Sequence, residues 1–566
     1  MSDEANDEAN VVSLFKDRNE ITDHQQLTHA TSVVQYDSAG HCLVLGHAHG
    51  AATVDRIFNL IQDRQQDFKS VTVVIVDPEH EGVEKQLTDS RQAIFKVPEL
   101  HLSGYLGAFK ALVPAQQANT QADFDIAVSV TLASGAFDLV LDLAPQAAIG
   151  SALPPFGYQH VPALADIDSA ASELSQLVGE FDKPKYFEYK SSICAHSRSE
   201  INGCSRCIDV CATDAIVSAG QGVSIDPFLC QGCGSCATVC PSGAMSYAYP
   251  RPSDAIDRSR HALAENSARV LLLHSEDHQS AVEKASLPQE VVPMLVEEIS
   301  AFGADFYLSM LAARACRIVL IYDAPESDLN RQAVQQQIDL VQQLLEGLGI
   351  EEQLVWILSS TELSTGNTDC LRPDSFASSV LNNRVPQEFS THNDKRQTMR
   401  LALDALCDQF KPQQDAVSLG DGSPFGRIEV DKQACTLCMA CVTTCPAGAV
   451  LAGQGAPSLQ FVEANCLQCG LCEQACPESA IKLDSRYVWD SVQARQVTPL
   501  NEEEPFHCLL CHKPFTTKSM IDNMSAKLGS HWMFQDEKAM RRLKLCGDCR
   551  VRDIFEQDNS GIDVHK

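Results

Sequence analysis

A chain of 566 residues, 44% of them hydrophobic, is long enough for about three to five separately cored units. Its 75 acidic against 43 basic residues leave a net charge of −32, which excludes nucleic acid and anionic lipid as ligands of the surface as a whole and favours partners with a basic face. No apolar run approaches the roughly 18 residues of a membrane span. The acidic opening MSDEANDEANVV lacks the basic-then-apolar order of a secretory signal, so the expected location is cytoplasmic. In that reducing compartment 24 cysteines are read as metal-binding rather than disulfide-bonded.

Residues 1–30 are polar and acidic and are expected to form a disordered tail. Residues 31–185 alternate strand and helix patterns, the mark of an α/β domain. HCLVLGH and SVTVVIVD are short β-branched runs, TVDRIFNLIQDR between them has helical spacing, and FDIAVSV and FDLVLDL are two further predicted strands. Gly46 and Gly50 in LGHAHG, with Asp77 ending the next strand, do not make a dinucleotide fingerprint. A tight turn suffices, and His47 and His49 are read as exposed turn residues.

Residues 186–255 hold Cys194, Cys204, Cys207 and Cys211, then Cys230, Cys233, Cys236 and Cys240 followed by Pro241. The second run is a complete CxxCxxCxxxCP. In such repeats three closely spaced thiolates wrap one cubane and the fourth turns to the neighbouring cluster. Cluster two is then expected on Cys230, Cys233, Cys236 and Cys211. For cluster one the regular register calls for a cysteine at position 201, where Ile201 stands, so Cys204, Cys207 and Cys240 are one ligand short. Cys194 is the nearby candidate, because AHSRSEING is polar and ends in the turn residues Asn202 and Gly203. Three ligands would give a three-iron or open site, four an ordinary cubane; the cubane is preferred. His196, Arg198 and Arg206 add donors and positive charge there and would raise that centre's potential.

Residues 256–395 return to an α/β rhythm. RVLLLHS, VVPMLV, RIVLIYD and QLVWILS read as strands, with DFYLSMLAARA and RQAVQQQIDLVQQLLEGLG as helices. The order loosely resembles the delta subunit of methyl-viologen-reducing hydrogenases. That family's two-iron cluster ligands are replaced here by Ser275, Glu276 and Asp277 and by Ala324, Pro325 and Glu326, so the resemblance implies a fold and a docking role only.

Residues 396–490 contain Cys435, Cys438, Cys441, Cys445-Pro446 and Cys466, Cys469, Cys472, Cys476-Pro477. This pair of complete motifs resembles the bacterial two-cluster ferredoxin module. By the same crossover, cluster three takes Cys435, Cys438, Cys441 and Cys476, and cluster four takes Cys466, Cys469, Cys472 and Cys445. Zinc sites use separated CxxC pairs instead. Such pairs occur in residues 491–566: Cys508 and Cys511, then Cys546 and Cys549, a zinc-ribbon or treble-clef pattern for one zinc, with a fifth iron–sulfur cluster as the alternative. His507, His512 and His531 are read as bystanders, and Cys42, Cys316, Cys370 and Cys407 as buried apolar residues.

The expected fold class is a multidomain α+β chain: two bacterial-type two-cluster ferredoxin modules, two α/β (Rossmann- or flavodoxin-like) domains and the C-terminal four-cysteine zinc unit. KPKYFEYKSSICAHSRSEINGCSRCIDVC, both modules, and CLLCHKPFTTKSMI with LCGDCRV resemble a proteobacterial family of multi-cluster ferredoxin-type proteins associated with formate dehydrogenase. The resemblance implies a relay of single electrons through four [4Fe-4S] clusters, without independent catalysis, and a redox protein partner such as formate dehydrogenase. An accessory or scaffold role in maturing a metallo-dehydrogenase is the alternative.

Overall fold

The computed structural model describes residues 32–47, 67–87, 92–162, 166–265, 269–325, 328–366, 368–372, 394–454 and 456–559. The acidic tail, the TVDRIFNLIQDR segment, His49, Gly50 and Glu326 lie outside the described residues.

The first sheet has six strands in the spatial order Tyr158–His160, Leu139–Asp142, His41–His47, Ser70–Val76, Gln92–Val97, Glu84–Leu87. All pair in parallel except the last, which runs antiparallel along the edge. Its central strands are almost continuously apolar because both faces are covered, as a parallel sheet requires. The helix Ile167–Ser175 seals one face, placing Ile167, Ala170 and Leu174 against Leu139 and Leu141. FDIAVSV departs from the strand expected of it. Only Phe124–Asp125 is extended, because the Asp125 carboxylate accepts the Val128 amide at 3.1 Å and starts a one-turn helix, Ile126–Ser129. A local side-chain cap here overrides β-propensity.

The second sheet orders its parallel strands Val291–Leu295, Val270–His274, Arg317–Ile321, Val355–Leu358. Its core takes in Ile256 and Leu263 of the helix Pro252–Glu265, and it extends past residue 395, the limit read from the pattern, to Met399, Leu403 and Leu406 of the helix Lys395–Phe410. The sequence pattern places residues 396–410 in the second ferredoxin module, yet their apolar stripe is buried against the helices of this sheet.

The cysteine-rich parts are built from short ribbons and single-turn helices, and four turns repeat. The third residue after Cys211, Cys240, Cys445 and Cys476 is in the left-handed region: Asp214 (φ 53°), Gly243 (71°), Gly448 (60°) and Ser479 (51°). The irregular first run thus keeps the turn of the regular ones although it lacks their proline. At the C-terminal end a hairpin of Pro505–His507 and Pro514–Thr517 precedes the helices Lys518–Leu528, Glu537–Leu543 and Gly547–Asn559, around a small core of Cys508, Leu545, Cys546 and Cys549.

Candidate metal centres

The structure sorts sixteen cysteines into four neighbourhoods. Burial, then the nearby charges of Cys240 and Cys204 and of Cys194, push the Cys207 thiol up to about 12. Cys204 is raised by burial and feels the same Cys240 and Cys194. Cys194 therefore comes together with Cys204, Cys207 and Cys240, while Ile201 is in a two-residue strand, Ile201–Asn202, paired with Ser197–Arg198. The stretch 195–203 forms this small hairpin with Ser199 and Glu200 in left-handed conformation, and the Gly203 amide closes it on the His196 carbonyl at 2.6 Å. His196 is buried with its ring between the Cys204 carbonyl (2.9 Å) and the Ser218 hydroxyl (2.8 Å). It braces the loop. Arg198 instead reaches the Ser192 carbonyl at 3.5 Å.

In the second neighbourhood burial raises Cys233 to about 12, helped by Cys230 and Cys211, and Cys236 is raised by burial and by Cys233, Cys230 and Cys211. In the third, burial followed by Cys438, Cys435 and Cys476 raises Cys441 to about 12. In the fourth, burial and then Cys466 and Cys445 raise Cys469 to about 11. Buried thiols crowded in fours resist losing their protons, and a positive centre shared among them removes that conflict.

Two of these neighbourhoods border a small cavity. One is lined by Cys435, Cys438, Cys441 and Cys476 with Leu459 and Ile481. The other is lined by Cys445, Cys466, Cys469 and Cys472 with Ile428 and Phe461. Soft thiolates in an apolar shell with N–H donors to sulfur are the donor set of a [4Fe-4S] cluster. The Ala449 amide donates to Cys445 Sγ, the Ala480 amide to Cys476 Sγ and Gln468 Nε2 to Cys466 Sγ, each at 3.3 Å. The residues fit the group.

The four neighbourhoods also meet one another in a line. Cys236 of the second feels Cys207 of the first, Cys469 of the fourth feels Cys204 of the first, and Cys472 of the fourth feels Cys441 of the third. The spatial order is two, one, four, three. Between the two modules Arg206 donates to the Gln468 and Ser423 carbonyls at 3.4 Å. Half-buried Arg396 spans the same junction, donating to the carbonyls of Pro241 (3.3 Å), Pro424 (2.7 Å), Ala464 (3.1 Å) and Cys466 (2.8 Å).

The α/β domains wall the second neighbourhood. Lys183 donates to the Cys230 carbonyl at 2.5 Å, its ammonium lies 4.9 Å from the Tyr36 ring centroid, and burial lowers it to about 8. Gln231 donates to the Pro154 carbonyl at 2.6 Å. From the other side Ser300 donates to the Cys233 carbonyl at 2.6 Å, and Gly234 (φ 83°) comes so close to Ala301 that a β-carbon would stand 2.6 Å from its Cα. Ser300 and Ala301 follow the strand Val291–Leu295, so the Cys233 loop occupies the carboxyl edge of the second sheet, where open α/β sheets offer their crevice. Half-buried Lys395 lies near Cys240 and Cys236 and donates to the Ala237 carbonyl at 2.8 Å and to that of Thr238.

Sequence reasoning missed Lys183, Lys395 and Arg396. In DKRQTMR the two cations resemble an ordinary solvated first turn, and only tertiary packing brings them to carbonyls of the cysteine loops. Cys42 and Cys316 are buried as expected, whereas Cys370 and Cys407 are half-buried.

The last group is tighter. The sulfurs of Cys508, Cys511, Cys546 and Cys549 all lie within 4.8 Å of one another, Cys511 and Cys546 at 3.6 Å. Four thiolates about 2.3 Å from one tetrahedral ion would be about 3.8 Å apart.

Models of a 4Fe-4S dicluster domain match the chain twice, over residues 202–244 and over residues 434–481. The chain therefore carries two ferredoxin-type dicluster domains, which support an iron–sulfur electron-transfer role. The first match begins downstream of Cys194. No curated protein matches the chain. No helix among the described residues is long and apolar enough to cross a membrane.

Proposed function

We propose that the chain is a four-cluster electron-transfer protein. Set one (Cys194, Cys204, Cys207, Cys240), set two (Cys211, Cys230, Cys233, Cys236), set three (Cys435, Cys438, Cys441, Cys476) and set four (Cys445, Cys466, Cys469, Cys472) each hold one [4Fe-4S] cluster. A cluster so held accepts and releases one electron at a time. The observation that carries the reading is the convergence of each crossover set, two of them around a cavity lined by that set's four thiols.

The protein's own residues keep these centres dry, fix their spacing and set their potentials. Arg206 lies beside Cys204, Lys183 beside Cys230 and Arg396 beside Cys466, whereas the charges most strongly felt by Cys441 are its three partner thiols. A nearby cation favours the reduced, more negative state, so set three is assigned the lowest potential. The C-terminal group of four cysteines serves as a structural zinc site, because its compact sulfurs suit one ion, whereas a cubane spreads its thiolates over four irons.

The likeness of residues 183–240 and 508–551 to formate dehydrogenase-associated proteins supports formate oxidation as the process served. Anaerobic purification with metal analysis tests the reading: about sixteen irons and one zinc per chain are expected. About eight irons, or clusters that pass intact to an apo-dehydrogenase, would turn it toward a scaffold or maturation role.

A further inference from the structure

The whole-chain charge of −32 conceals an asymmetry of sign. Residues 505–566 hold ten Lys and Arg against eight Asp and Glu, a net +2, which leaves −34 on the preceding 504 residues. The slightly basic unit is joined directly to set three. Thr517 donates its hydroxyl to the Thr436 carbonyl at 3.0 Å, inside the Cys435–Cys438 loop, and Lys527 pairs with Glu478 at 2.9 Å, two residues past Cys476.

Set three is also where the sixteen thiols come nearest to solvent. Cys438 is exposed and the other fifteen are buried or half-buried. At the opposite end of the line set two is enclosed by both α/β domains through Lys183, Gln231 and Ser300. The C-terminal unit presents Lys513 and Lys518, both exposed, at the two ends of the strand Pro514–Thr517, whose last residue contacts Thr436 in the Cys438 loop. On the same unit Leu509, Leu510, Trp532 and Met533 are also exposed, Trp532 at 76%. Apolar and aromatic side chains with a charged rim are the composition of a protein-recognition surface.

We propose that the C-terminal four-cysteine unit and the adjoining Cys438 loop form the docking face for an acidic one-electron carrier protein. The proposal rests on the electron-transfer reading above and deepens it by naming the partner's chemistry. An acidic partner is repelled by the rest of the surface, so the basic unit steers it to the one exposed thiol set. This reverses the expectation, drawn from net charge alone, that partners present a basic face.

The test uses the intact, cluster-loaded protein and an acidic plant-type [2Fe-2S] ferredoxin as probe, with affinity measured by calorimetry at low and at high ionic strength. Lys513→Glu with Lys518→Glu should weaken binding about tenfold or more at low ionic strength and flatten its salt dependence. The control, Lys110→Glu with Lys284→Glu on the α/β domains, changes the net charge equally and should leave the affinity within about twofold. Equal weakening by both pairs, or binding of a DNA duplex in place of ferredoxin, would overturn the proposal. Iron content and dithionite reduction, measured on the same samples, report separately on the electron-transfer reading. Full iron and full reduction with unchanged ferredoxin affinity would reject the docking face alone.

Discussion

Gly203 and Leu471 touch across the boundary between the two ferredoxin modules: a β-carbon on Gly203 would stand 2.5 Å from Leu471 Cγ and 2.7 Å from the Ala195 carbonyl. Gly203 immediately precedes Cys204, and Leu471 lies between Cys469 and Cys472. Two cysteine sets from different modules are thereby pressed together, which neither module's motif could indicate.

Gly203→Val should force this contact open. The clash is with backbone on one side and a buried side chain on the other, so relief requires the modules to shift, at a cost of about 1–3 kcal/mol. The expected outcome is a lower denaturation midpoint with unchanged iron content, together with a weaker magnetic interaction between sets one and four by EPR. An unchanged interaction would mean that this contact does not set their spacing.

Cys194→Ala removes the thiol that lies with Cys204, Cys207 and Cys240. With three ligands left, set one should retain a three-iron cluster and show a new signal in the oxidised EPR spectrum, with about one iron lost per chain. Tyr189, whose hydroxyl hydrogen-bonds Cys194 and accepts the Val223 amide at 3.1 Å, keeps its second partner in the variant, so the loop has a remaining anchor. An oxidised spectrum identical to the parent's would make Cys194 a bystander.

Glu298, at the carboxyl edge of the second sheet, is raised to about 7, first by burial and then by the neighbouring Glu297 and Asp277. The folded chain thus keeps a proton that the unfolded chain releases from about 4.5 upward. The stability contributed by this group is whole below the unfolded value and is lost as pH rises toward and through the folded one. The loss comes to about 3 kcal/mol. Glu298→Gln should match the parent at pH near 5 and exceed it at pH near 8 in urea denaturation. A constant difference at both pH values would contradict the assignment.

On the proposed structural-zinc reading, removal of the metal should act locally. Cys549→Ser, or a chelator, takes away binding energy on the order of 10 kcal/mol from a unit whose core is little more than its four cysteines and Leu545. Hydrogen exchange should rise across residues 505–559 and stay unchanged in the α/β domains. Retention of protection in the C-terminal unit would argue against a structural metal.

What could be read from sequence was local and chemical. The spacing of Cys230 to Cys240 and of Cys435 to Cys476 specifies loops and crossover ligands, and RVLLLHS and RIVLIYD are strands because a buried parallel sheet needs unbroken apolar runs. The stretch FDIAVSV failed because one capping carboxylate outweighed its β-branched residues. The remainder depends on contacts distant in sequence. Lys395 reaching Ala237, Arg396 reaching both Pro241 and Cys466, and Ser300 reaching Cys233 leave no periodic trace, and so the order of the four cysteine sets was not legible.

A connected line of four centres is tested most directly by stepwise reduction of the anaerobically purified protein, with iron analysis and EPR at each electron. With about sixteen irons and four electrons taken up per chain, the signals of sets one and four should broaden each other across the Cys204–Cys469 junction. A fully reduced spectrum equal to the sum of two independent two-cluster modules would contradict it.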